Sequence, residues 1–137
     1  MIRQKKSLSL LLVLPILLGG ATTAFAAQRT AHYSYDVPRF NGHSTTGRSI
    51  KKLSRTSAVN NNTSNGAGVS LKSWVINAYN GKEVTNTATF ASGQRINMTY
   101  KESVKNYVGG HYKMSIGTSW SEWHNIHTSG YWSPDDK

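Results

Sequence analysis

From Tyr33 onward, apolar and polar side chains alternate with a period of two between glycine-containing breaks. Tyr33, Tyr35 and Val37 mark the first such run, and Val84, Ala88 and Phe90 alternate with Thr85, Thr87 and Thr89 further on. Ile96, Met98 and Tyr100 oppose Arg95, Asn97, Thr99 and Lys101, while Tyr112, Met114, Ile116 and Trp120 oppose His111, Lys113, Ser115 and Gly117. Successive side chains of an extended chain point to opposite faces, so each run predicts a strand with one buried face. The pairs Asn41-Gly42, Asn65-Gly66 and Asn80-Gly81 supply residues that tolerate the positive φ of tight turns.

Two segments depart from this rhythm. In Val69–Tyr79 the apolar positions shift from odd (Val69, Leu71) to even (Trp74, Ile76, Ala78). A shift of one residue flips the buried face, which predicts a bulge near Ser73 or a strand buried on both sides, with Trp74 in the core. The run Asn60-Asn61-Asn62-Thr63-Ser64-Asn65 offers nothing apolar to bury and reads as a loop. Arg48–Arg55 reads as an edge strand whose lysines discourage sheet-to-sheet association. Together these elements predict an all-β domain, a single antiparallel β-sandwich or barrel of about seven strands.

The N-terminus has a different grammar. Arg3, Lys5 and Lys6 precede an apolar run from Leu8 to Leu18, and Ala24-Phe25-Ala26 offers the small residues a signal peptidase accepts. The run is well short of the about twenty residues needed to span a bilayer. Residues 1–26 therefore read as a cleaved signal peptide and residues 27–137 as one secreted domain. The chain contains no cysteine, so disulfides cannot supplement its core. This usage points to export from a Gram-positive cell, with the product extracellular or associated with the cell wall.

Charge sharpens the picture. Sixteen Lys and Arg oppose six Asp and Glu. Without the three leader cations the domain keeps a net charge of +7, the excess carried by the acid-free stretch Val37–Lys82. Arg39, Arg48, Lys51, Lys52 and Arg55 are its densest part and form a candidate anion-binding patch. The competing reading is a solvated charge excess that serves solubility alone. An anionic wall polymer or anionic membrane surface is the expected partner, with a secreted or envelope protein the other class. Nucleic acid is not expected, because the basic stretch lacks the interleaved aromatics of a stacking groove.

Trp120, Trp123, Tyr131 and Trp132 cluster near the C-terminus, either as an exposed aromatic surface or as a plug closing one end of the sandwich. Ser119–His127 would put Trp120, Trp123, His124 and His127 on one helical face, or Glu122 and His124 on one strand face. Either supplies two ligands where zinc sites take at least three from the protein. Nucleophile elbows and phosphate loops are absent from the sequence, and Glu83, Glu102 and Glu122 show no paired spacing. The domain therefore reads as non-enzymatic, with no catalytic residue, metal or cofactor assigned.

The closing Thr128-Ser129-Gly130-Tyr131-Trp132-Ser133-Pro134-Asp135-Asp136 resembles the ending of an uncharacterised family of small secreted Gram-positive bacterial proteins. Tyr33–Pro38 and Asn41–Arg48 fit the same pattern loosely. That resemblance implies a signal peptide followed by a cysteine-free, strand-rich domain, and it assigns no activity. More loosely, the chain is similar in style to lactococcin 972-type bacteriocins, which makes a bacteriocin-like antagonist an alternative to an envelope-binding protein. An inhibitor or partner of a secreted enzyme is the third expectation.

Overall fold

Alternation becomes burial in a computed structural model that describes residues 30–102 and 108–136. The leader and its cleavage site lie outside these residues. In strand β1 (Ala31–Val37) Tyr33 and Val37 point inward and their neighbours face out. The remaining strands are β2 (His43–Thr45), β3 (Ile50–Lys51), β4 (Ala58–Asn65), β5 (Leu71–Asn77), β6 (Ala88–Phe90), β7 (Arg95–Met98), β8 (His111–Gly117) and β9 (Ile126–Ser133). β2 and β3, of three and two residues, are too short to show a period, which is why the sequence suggests fewer strands.

All pairings between these strands are antiparallel, in two sheets. A four-stranded sheet has the order β1-β9-β4-β7, and a five-stranded sheet has the order β2-β8-β5-β6 with β3 also on β8. Tyr33, Val37, Ala58, Met98, Ile126 and Trp132 from the first sheet meet Ile50, Leu71, Val75, Phe90, Tyr112, Met114 and Ile116 from the second. The fold is a β-sandwich.

The two irregular segments resolve otherwise than their patterns suggest. Asn60–Asn65 is not a loop: it lies in β4, an interior strand between β9 and β7. Its amides enter the sandwich and find partners there. Tyr33 Oη donates to Asn60 Oδ1 at 2.7 Å, and Asn60 Nδ2 donates to Ser73 Oγ at 3.2 Å. Asn62 Nδ2 reaches Asn65 Oδ1 at 3.0 Å and Thr128 Oγ1 at 3.1 Å, while its Oδ1 accepts from Gly93 N at 2.9 Å. Buried polar groups are tolerated when their hydrogen bonds are made, and here a network replaces part of the apolar core. Gly130 makes room for it, since a Cβ there would lie 2.7 Å from Tyr33 Oη and 2.5 Å from Asn61 O.

β5 keeps an unbroken register with β8, so there is no bulge at Ser73. Leu71, Ser73 and Val75 face the core, and Ser73 fills the slot where an apolar residue seemed missing. The bulge lies in β4, between Asn62 and Ser64. Trp74 is consequently not a core residue: it is half-buried on the outer face of the five-stranded sheet.

Candidate functional site

The link from β1 to β2, Pro38–Gly42, turns through two consecutive left-handed residues, Phe40 (φ 55°) and Asn41 (φ 58°). Gly42 N closes the turn on Arg39 O at 3.2 Å. Asparagine accepts this conformation readily. A phenylalanine there costs roughly 1–2 kcal/mol, which the surrounding structure must offset.

That restraint comes from the β8–β9 link, Thr118–Asn125. Phe40 N donates to Glu122 O and Asn41 N to Ser119 O, both at 3.0 Å, and Thr118 N donates to Gly42 O at 3.0 Å. Thr118 Oγ1 donates to Pro38 O at 2.6 Å, and Arg39 N donates to Asn125 Oδ1 at 3.1 Å. Two loops are thus zipped into one rigid end of the sandwich. Three large apolar side chains stand out from it, with Trp120 76%, Trp123 72% and Phe40 48% exposed. The Arg39 guanidinium carbon sits 5.3 Å from the Phe40 ring centre. Rings held out into water on a fixed backbone, beside a cation, suit a boundary that is apolar on one side and anionic at its surface.

Ser119–His127 is neither one helix nor one strand: the chain turns at Trp120 and Ser121 and bends at His124, and Ile126 and His127 already belong to β9. Its two histidines go different ways. His124 lies 3.5 Å from Glu122 Oε1, while His127 Nδ1 lies 2.8 Å from Asp36 Oδ1 and its Nε2 3.1 Å from Ser34 Oγ. Tyr131 is exposed with its ring 5.1 Å from His32, but Trp132 is 1% exposed and belongs to the core rather than to an aromatic surface.

The five cations of the basic stretch do not assemble into one patch. His43 pairs with Gly117 at one end of β8 and Lys51 with His111 at the other. Six steps of about 3.4 Å each separate those ends by about 20 Å, more than twice the Debye length of about 8 Å at physiological salt. Arg39 lies beyond the first end, Lys51 and Arg55 near the second, and Arg48 lines a depression with His32 and Tyr35 between them. Leu53, Tyr79 and Val108 are exposed at the second end, without tryptophans.

Lys52 must be removed from the patch altogether. Period two sends Lys51 outward and Lys52 inward, where its side chain is fully buried. Its Nζ donates to Thr56 O at 2.7 Å, Pro134 O at 2.9 Å and Asp135 Oδ1 at 3.0 Å, and it lies 4.1 Å from the Tyr100 ring centre. Asp135 also accepts from Leu53 N at 2.8 Å and from Ser54 Oγ at 2.9 Å. Burial works against its ionisation, but the Leu53 N–H, Lys52 and Ser54 outweigh that and hold the carboxyl below its ordinary range. Burial, then the Asp135 charge, pushes the Tyr100 hydroxyl well above the usual tyrosine value. This is a latch that fastens the C-terminal segment to the β3–β4 link. The sequence carried one hint of it: adjacent lysines on an extended segment point to opposite faces, so only one of the two can share the outer face of a sheet.

No protein-family model matches the chain, and no curated protein shows significant similarity to it.

Proposed function

We propose that the protein is an exported, non-enzymatic binder of an anionic envelope surface, and that it meets a lipid boundary with the end formed by Phe40, Trp120, Trp123 and Arg39. The observation that carries this reading is the pair of tryptophans exposed on a loop pair joined by three backbone hydrogen bonds. Nothing in the folding of the sandwich requires them to be outside. Withdrawing roughly 150 Å² of ring surface from water contributes about 4 kcal/mol per tryptophan as an upper value. Arg39 near anionic lipid adds about 1 kcal/mol. The aromatic term therefore exceeds the charge term, which inverts the order suggested by the net charge of the sequence. The leader-like residues 1–26 support delivery to the outside of the cell.

Co-sedimentation with anionic vesicles tests this. Trp120→Ser with Trp123→Ser should weaken binding by about a hundredfold, equivalent to about 2.7 kcal/mol, and leave thermal unfolding unchanged. Leu53→Ser with Tyr79→Ser, at the opposite end, should leave binding intact. Loss of binding in the second pair but not the first would overturn the reading.

A further inference from the structure

The outer face of the five-stranded sheet holds a second tryptophan site, remote in chemistry from the aromatic end. In β5, Lys72 and Trp74 turn away from the core. Beside them on β8 lies Gly117, where a Cβ would stand 3.2 Å from both Lys72 Cε and the Trp74 ring. The missing side chain lets both groups lie down against the sheet. His43 flanks them from β2, with ring centres 5.8 Å apart. Glu83 and Thr87 flank them from the β5–β6 link, and Asn41 completes the rim of an open depression of about 270 Å³.

Its chemistry is mixed. Lys72 Nζ donates to Asn41 Oδ1 at 2.6 Å, which fixes the ammonium and leaves it further protons to donate. Glu83, His43 and Thr87 line the same depression, and no hydrogen bond to their side chains occurs among the described residues. One cation and one carboxylate cancel, so the depression does not select a polyanion. Its size falls just under the about 300–1,000 Å³ of sites for drug-sized ligands. A flat aromatic platform ringed by free donors and acceptors matches a small ligand with one apolar face and several hydroxyls at its edge. A pyranose ring has that form: axial C–H bonds on one face, with hydroxyls that both donate and accept.

We infer that this depression is a glycan-binding site that takes one neutral sugar ring of a larger saccharide, with Trp74 as the stacking platform and Glu83, His43, Lys72, Asn41 and Thr87 as hydroxyl partners. It adjoins the aromatic end through Asn41 but uses none of the rings proposed for the lipid contact.

The test is titration of the purified protein with tetrasaccharides of glucose, mannose and N-acetylglucosamine, followed at the Trp74 indole N–H by NMR. At least one sugar should shift that resonance saturably below about 10 mM, tenfold above a millimolar Kd. Trp74→Ala should abolish the binding, but it also uncovers part of the sheet. Glu83→Ala is therefore the second probe; it should weaken binding about tenfold with an unaltered melting temperature. Trp120→Ser with Trp123→Ser should bind sugar like the parent, even if its vesicle binding is lost or was never present. The inference is overturned if no sugar shifts Trp74, if inorganic phosphate shifts it in place of sugar, or if Glu83→Ala binds as tightly as the parent.

Discussion

At one end of the sandwich Arg39, Phe40, Trp120 and Trp123 reach into water; at the other Lys52, Tyr100, Trp132 and Asp135 are sealed from it. The residue types are nearly the same, yet the roles are opposite. At the latch end the buried Lys52 and Asp135 neutralise each other, and the backbone of Leu53 and Ser54 donates to a single carboxylate. At the aromatic end three hydrogen bonds run between the backbones of two loops, helped by the side chains of Thr118 and Asn125, and the rings of Phe40, Trp120 and Trp123 are left outside. Exposed groups on a rigid support are suited to contact, and a buried pair such as Lys52 and Asp135 is suited to holding the chain.

Breaking the latch should have the largest effect. Lys52→Met leaves the Asp135 carboxylate buried without its cation, and loss of one partner of a buried pair costs about 3–5 kcal/mol. Urea unfolding at neutral pH measures it. The acid response follows from the same site. Because folding depresses the Asp135 pKa, its stabilisation is complete above the ordinary carboxyl range and is lost as pH falls through the folded value. Melting temperature should therefore drop below about pH 4, and Asp135→Asn should flatten that drop while lowering stability at neutral pH.

Next comes the polar core that ties the two ends together. Asn62→Leu removes the buried amide that donates to Tyr33 Oη, Asn65 Oδ1 and Thr128 Oγ1, and a buried group left unsatisfied costs about 1–3 kcal/mol. A total near 3 kcal/mol is expected by chemical denaturation. A neutral or stabilising result would mean that apolar packing can replace the network.

The aromatic end should behave in the reverse sense. Phe40→Gly relieves a left-handed phenylalanine and should raise stability by about 1 kcal/mol while weakening vesicle binding several-fold. A variant that loses stability would show that Phe40 supports the loop pair rather than the surface contact. The smallest effect is reserved for the scattered cations. Lys51→Gln with Arg55→Gln should change vesicle binding less than threefold and stability by less than about 0.5 kcal/mol. A large loss would restore a basic patch as the binding surface.

Much of the sandwich was legible because alternation is local. Tyr33 and Val37, Met98 and Tyr100, and Tyr112, Met114 and Ile116 are buried as their period demands. Glycine and asparagine placed the breaks, although the positive φ falls on Phe40 and Asn41, one position early, at Asn41-Gly42, and on Ala67 and Gly68, two positions late, at Asn65-Gly66. The misread segments share a physical cause. Hydropathy scores asparagine and serine by their cost in isolation, whereas Asn60, Asn62 and Ser73 enter the core with their partners already arranged. Those partners lie on β1, β5, β7-adjacent backbone and β9, and no local pattern can reveal them.

Composition, period and turn chemistry determined an all-β, disulfide-free, basic domain with charge concentrated in its first half. Tertiary structure alone decided which charges meet water. Lys51 and Lys52 are neighbours in sequence, but one is solvated and the other is neutralised by Asp135, 83 residues away. It also separated the tryptophans: Trp132 entered the core, Trp74 lay down over Gly117, and Trp120 and Trp123 remained outside. A side chain's type sets the cost of each environment, but the environment itself is made by strands brought together across the whole chain.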